Sequence, residues 1–266
     1  MTSPVAIENP EGPIADVRLN RPDKKNAFNM DMLTGLTDAA DQLGNNAGLR
    51  AVVMSGAGGC FSAGLDVSMF AEFAQQLDTL KTEIRNPPDG QIANRFQGPV
   101  VCWQKLPVPV IAAIEGVCYG AGMQLALAAD FRIAAPDAVF SIMESKWGLI
   151  PDMGITQSLP KLVRADQAKD LIMTARIVQA DEALALGLIT RIADDPIAAA
   201  HEYALELAGR SPDAVARAKQ LVDDGWTASA RAGLALEAEL QAQIIGGANQ
   251  MEAVFANMQK RAPKYR

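Results

Sequence analysis

One histidine, three cysteines and 5% aromatic residues in 266 positions remove several kinds of chemistry before any motif is read. A Ser-His-Asp triad or a histidine-based metal centre would have to be built around His201. That residue lies in an alanine-rich helical stretch, away from every glycine cluster, and reads as a partly exposed helix residue. Cys60, Cys102 and Cys118 are odd in number and lack metal-ligand spacing, which argues against a disulfide framework or a structural zinc and makes them reduced, small core residues. Basic runs are missing and the net charge is −7, so neither nucleic acid nor an anionic membrane is an expected partner. No stretch offers about 18 uninterrupted apolar residues, and the amino end has no basic region followed by an apolar one. A soluble, cytoplasmic protein is expected.

The chain is 49% hydrophobic, enough for one large domain or a core with an appendage. Short apolar runs at 14–19, 50–55, 108–114, 131–134 and 139–143 alternate with helical patterns, which predicts one α/β body. Met30, Leu33, Leu36, Ala40 and Leu43 fall at helical spacing behind Asn29, a candidate N-cap. Residues 71–98 are polar, interrupted by Pro87, Pro88 and Gly90, with Phe70, Phe73 and Phe96 near the ends. They read either as a mobile substrate-side flap or as an ordinary surface excursion. After Ile192 the strand signals stop, and Ala, Leu, Glu and Arg recur at helical spacing, with a helix start at 211–213. The chain therefore divides into a core, 1–195, and a helical region, 196–266, with too little core to stand alone.

Two apolar strands each run into a glycine-rich turn, at 50–66 and 107–130. Such turns leave backbone amides free, and the second continues into a helix whose dipole favours negative charge. Together they could hold a thioester or ester oxygen as it becomes an enolate. With so little histidine, proton transfer falls to carboxylates. Glu144 and Asp152 are the candidates, each in an apolar neighbourhood. Glu144 could equally be a surface residue at a strand end, and Asp152 the N-cap of a helix beginning near Ile155. Gly148 and Pro151 between them argue against a continuous helix, so spacing alone does not bring them together.

The residues LNRPDKKNAFN (19–29), CFSAGLD (60–66), IAAIEGVCYGAGMQLALAADFRIAA (111–135), FSIMESKWGLIPDMG (140–154) and the closing KRAPKY (260–265) resemble the crotonase superfamily, the enoyl-CoA hydratase/isomerase family. The resemblance covers nearly the whole chain. It implies a spiral core of ββα turns and a C-terminal helical region that builds trimers, commonly paired into hexamers. It also implies an acyl-CoA thioester as substrate, no metal and no cofactor beyond the coenzyme A of the substrate. Carried over residue by residue, the oxyanion-hole amides are those of Leu65 and Ala121, with Gly64, Gly120 and Gly122 allowing close approach. Substrate and CoA contacts fall on Lys25, Ala27, Ala63, Gly64, Asp66, Gly120, Gln124 and Trp147, and Lys24 and Lys25 supply charge for the CoA phosphates. Asp66 has a second reading as a helix cap, and Trp147, Met69 and Phe140 would suit either an acyl pocket or the core. Asp130 is expected to end a buried helix and satisfy local amides.

One departure matters. Family hydratases carry two catalytic glutamates; here the second is Glu144, but Gln124 stands at the first. An amide is neither a general acid nor a general base near neutral pH. Dienoyl-CoA isomerases pair a glutamate matching Glu144 with an aspartate matching Asp152, but also carry an aspartate where this chain has Gln124; simple enoyl-CoA isomerases can use the glutamate alone. The resemblance thus implies first a double-bond isomerase acting on enoyl- or dienoyl-CoA. A hydratase with Glu144 as the main acid/base and a non-catalytic CoA-ester-binding oligomer are the alternatives.

Overall fold

The computed structural model describes residues 3–266 and turns the apolar runs into two sheets. The strands are β1 (Val5–Glu8), β2 (Ile14–Leu19), β3 (Ala51–Gly56), β4 (Val110–Ile114), β5 (Val117–Tyr119), β6 (Phe131–Ala134), β7 (Val139–Ser141), β8 (Val178–Gln179) and β9 (Arg191–Ile192). The larger sheet runs β1-β2-β3-β4-β6-β9, antiparallel at β1–β2 and parallel elsewhere. β5, β7 and β8 form a smaller one, β5 parallel to β7 and β7 antiparallel to β8.

Parallel strands need crossovers, and the crossovers cover both faces, so β4 and all of β3 but its last residue are buried and read as continuous apolar runs rather than alternating ones. Val52 and Met54 face the main core, while Ala51, Val53, Ile111 and Ala113 face the Pro196–Ala208 helix. Ala200 and Ala204 line that contact, small enough to let the helix lie close on the sheet. His201, on its more exposed side, meets Asp16 of β2 at 2.8 Å.

The Met30–Gly44 helix begins as expected: Asn29 accepts from the Met32 amide at 3.0 Å, and Leu33, Leu36, Ala40 and Leu43 are buried. Residues 71–98 carry more order than their polar composition indicates, in the helices Met69–Gln75 and Leu77–Arg85. Beyond Pro196–Ala208 come the helices Pro212–Gly225, Ala230–Ile244 and Ala248–Met258, the first capped by Ser211. Lys219 ties this group to the body by donating to the Trp103 and Val108 carbonyls and to Asp130 at 2.7 Å. Asp130 also accepts from the Val110 amide, so it serves both a local amide and a distant cation. Among the described residues no helix is long and apolar enough to cross a membrane.

Candidate active site

The two glycine turns lie side by side because their strands hydrogen-bond across the gap. The Ser62 amide donates to the Val117 carbonyl at 3.0 Å, and the Tyr119 amide donates back to Ser62 at 2.9 Å. The Ser62 hydroxyl donates to the Asn26 carbonyl and accepts from the Gly64 amide, locking the first turn from within. Gly64 has φ +92°, and a Cβ there would come within 2.9 Å of the Tyr119 carbonyl, so only glycine allows this approach. The neighbouring bonds, Phe28 amide to Gly64 carbonyl and Asp66 amide to Phe28 carbonyl, fix the peptide of Leu65 without using its N–H. Gly120, at φ +51°, then opens the Ala121–Ala128 helix. Among the described residues the Leu65 and Ala121 amides have no protein acceptor, and both line one cleft. Ala121 also stands at the helix N-terminus, where the dipole adds to its pull on an oxyanion.

Glu144 is not a surface strand end. It opens a 3-10 turn, Glu144–Trp147, with its carboxyl mostly buried. Oε1 accepts from Gln124 Nε2 at 2.6 Å, and Oε2 is buried without a partner. A Cβ on Gly120 would lie 3.5 Å from Glu144 Oε1, which puts the carboxyl against the oxyanion turn. The other end of Gln124 is also engaged, its Oε1 accepting from the Met153 amide at 2.8 Å. Gln124 therefore clamps Glu144 to the chain segment carrying Asp152, whose side chain lines the same cleft.

The capping role for Asp152 does not hold: Gly154, at φ +88°, is the N-cap of the short Ile155–Ser158 helix. Burial pushes the Glu144 carboxyl above the ordinary carboxylate value, with the Asp152 charge adding to the rise and the Gln124 donation opposing it. Asp152 is raised as well, by burial. Desolvation is a larger cause than repulsion between the pair at both carboxyls, although Asp152 is itself exposed at the cleft.

The cleft encloses about 600 Å³. Ala27, Ala63, Gly64, Asp66, Gly120, Gln124 and Trp147 all line it. Lys25 does not; Lys24 does, while Lys25 takes a left-handed conformation and lends its carbonyl to the Ala63 amide. Asp66 is engaged by the protein itself. Ser68 donates to it through amide and hydroxyl, Arg21 meets it at 3.0 Å, and these contacts hold its carboxyl below the usual range. It sits two residues before Ser68, the N-cap of the Met69–Gln75 helix, so it braces the approach to that helix without being its cap.

Trp147 stands half-exposed at the rim, its ring 5.6 Å from that of Phe70. Met69 and Phe140 are fully buried core residues outside the cleft. The wall instead uses Phe73, Leu77, Leu80, Ile84 and Phe96. Leu77, Leu80 and Ile84 have the i, i+3, i+7 spacing of a helical stripe, the signal that could have found them. Among the described residues no group of three or more His, Cys, Asp or Glu side chains is placed to hold a metal ion.

A family model described as enoyl-CoA hydratase/isomerase matches residues 9–266. The chain is 34% identical to the mitochondrial methylglutaconyl-CoA hydratase of Mus musculus, across 98% of its own length and 82% of that protein's. It is also 34% identical to the mitochondrial Delta(3,5)-Delta(2,4)-dienoyl-CoA isomerase of Rattus norvegicus, across 81% of its own length and 67% of that protein's. The crystal structure of an enoyl-CoA hydratase from Bacillus anthracis matches with a TM-score of 0.88 at 30% identity, over 98% of each chain. The α/β architecture with C-terminal helices is thus that of solved crotonase-fold enzymes.

Proposed function

The chain belongs to the enoyl-CoA hydratase/isomerase family, and from that premise we propose that it shifts a double bond within an enoyl- or dienoyl-CoA. The observation that carries this reading is the Gln124 clamp. Gln124 holds Glu144 at one end and the Met153 amide at the other, and as an amide it does not titrate near neutral pH, so it moves no proton, while Glu144 keeps one buried, unpartnered oxygen and a raised affinity for a proton. A single carboxyl that can take and return a proton suffices for isomerisation.

With a 3-enoyl-CoA, the Glu144 carboxylate takes a proton from the carbon next to the thioester carbonyl. The C–H electron pair moves into the bond to the carbonyl carbon, and the carbonyl pair moves onto oxygen. The Leu65 and Ala121 amides stabilise the resulting dienolate. Return of the proton two carbons further along restores the carbonyl and leaves the 2-enoyl-CoA. In a dienoyl substrate Asp152 would handle the distal carbon. No atom is gained or lost, so no redox cofactor enters the balance.

Asp152 also gives the hydratase reading a specific support, because a second titratable carboxyl on the cleft could activate water. Purified protein incubated with 2-enoyl-, 3-enoyl- and 3,5-dienoyl-CoA distinguishes the readings by mass and ultraviolet absorbance. Isomerisation leaves mass unchanged and moves the conjugation band, hydration adds a water, and an inert mixture would favour a CoA-ester-binding protein.

The same proposal includes self-association as a homotrimer or a dimer of trimers. Trp226, Leu234, Ile245 and Met258 are exposed apolar side chains of the C-terminal helical region, which supports an assembly role for it. Truncation after 195 should yield monomers or insoluble protein by light scattering; a soluble, active trimer without these helices would refute that role. The truncation also removes the Pro196–Ala208 helix that covers the sheet, so a second cut after 208 separates assembly from folding.

A further inference from the structure

The Ala121–Ala128 helix opens on the cleft at Ala121 and carries no charge of its own: its eight residues, AGMQLALA, are all buried and all neutral. A cation nonetheless meets its carbonyl end. Arg132 of β6 is itself buried, and its guanidinium donates through Nη1 to the Ala129 carbonyl at 2.6 Å and the Ala126 carbonyl at 3.4 Å, and through Nε to the Leu188 carbonyl at 2.8 Å. All three acceptors are main-chain oxygens. Asp130, the nearby carboxylate, is taken by Lys219 and by the Val110 amide, each at 2.7 Å.

A neutral amide could satisfy such carbonyls without the cost of burying a charge. What a cation adds is attraction to the negative end of the helix dipole. Burial pulls the Arg132 pKa down to about 10, so the guanidinium stays charged near neutral pH. Eight residues of helix separate it from the Ala121 amide, about 12 Å. Because the helix is buried along its whole length, water screens little of that path. At an effective dielectric of about 20, two unit charges that far apart change an equilibrium roughly tenfold.

We propose that Arg132 is a positioning residue whose buried charge, held at the carbonyl end of the Ala121–Ala128 helix, strengthens the pull of the Ala121 amide on the thioester oxygen as that oxygen becomes an oxyanion. This rests on the reading of the Leu65 and Ala121 amides as the oxyanion site, but not on which reaction follows.

The probe is hexanoyl-CoA with a heavy-carbon label at the thioester carbonyl, a saturated ester with no double bond to move or hydrate. It is bound to the full chain and read by difference infrared spectroscopy, in which a more polarised carbonyl stretches at lower frequency. Arg132→Gln keeps an amide donor and removes the charge. Its bound carbonyl should stretch at higher frequency than in the parent protein, and kcat/KM for an enoyl-CoA should fall roughly tenfold. Arg132→Lys keeps the charge and should stay within about threefold of the parent, less than the loss of a whole charge. Asp130→Asn keeps an acceptor for the Val110 amide and removes a negative charge from the same helix end, so there the carbonyl should move the opposite way, to lower frequency. A role as a mere brace would weaken polarisation in both variants. An unmoved carbonyl in Arg132→Gln, or shifts of the same sign in the two variants, would overturn this inference alone. Where Arg132→Gln does not fold, Asp130→Asn decides, and a carbonyl that stays or rises in frequency there overturns it. A parent protein that leaves the ester carbonyl unshifted would overturn the oxyanion reading and this inference with it.

Discussion

The floor and the wall of the cleft are built from different material. On the floor the free groups are main-chain amides, held by bonds between adjacent strands and turns, with Glu144 clamped by a buried glutamine. The wall is made of side chains on the short helices Met69–Gln75 and Leu77–Arg85 together with Phe96, and those helices bury only Met69 completely. Backbone geometry changes only if the chain path changes, whereas a wall side chain can be exchanged with little effect on the rest. The two surfaces can therefore be altered separately by substitution.

The sharpest way to break the floor is Glu144→Gln. Turnover should fall by roughly 10² to 10⁴, the usual contribution of a positioned acid or base, while the acceptor for Gln124 remains. The same change should raise stability at neutral pH. A carboxyl whose folded-state pKa is raised favours folding most below its unfolded value and loses that contribution as pH rises through the folded value. Ionised Glu144 is thus a cost at pH 7, and the melting-temperature advantage of Glu144→Gln should shrink as pH falls toward 4.5, the ordinary value for the side chain. In the parent enzyme the acidic limb of kcat/KM should lie above that value. Undiminished turnover in Glu144→Gln would remove the residue from the mechanism.

Gly64→Ala tests the backbone half of the floor. The new methyl meets the Tyr119 carbonyl at 2.9 Å in a left-handed conformation, so the Leu65 amide must move. A loss of about 10² to 10³ in kcat is expected, the effect of losing one oxyanion donor, and circular dichroism should show the fold retained. An active Gly64→Ala enzyme would mean the floor tolerates a displaced peptide.

Asp152→Asn should reduce dienoyl-CoA isomerisation by about two orders of magnitude with little change in melting temperature, since the residue caps no helix. Unchanged turnover would leave a single-glutamate enzyme built around Glu144. The smallest effect belongs to the wall. Leu80→Ala should raise KM for an eight-carbon enoyl-CoA about tenfold, by the apolar area lost, and leave kcat nearly as it was. A fall in kcat instead would show that floor and wall are coupled.

Much of this was legible in local sequence. Asn29 before an apolar stripe was enough to place a helix start, because a cap acts within one turn. Continuous apolar runs were enough to place β3 and β4. The wall was hidden because Asp78, Lys81, Glu83 and Arg85 dominate the composition of a helix whose useful face is three residues wide. Met69 and Phe140 misled for the opposite reason: an apolar side chain near a site fits the core equally well, and here the core took both. Asp152 lost its cap to Gly154, which reaches φ +88° without a Cβ penalty.

The sequence by itself directed attention to carboxylates for proton chemistry, through a single remote histidine, and to two glycine turns that would free amides at strand ends. Only the tertiary structure decided that Gln124, Glu144 and the Asp152 segment meet. Gln124 contacts Glu144 across 20 residues and Met153 across 29. Those separations are bridged by β6, β7 and an irregular turn, whose closure depends on both sheets packing against one core. Caps and stripes act over one or two helical turns and can be read from neighbours in the chain, whereas a buried clamp depends on where distant loops end after the core has formed.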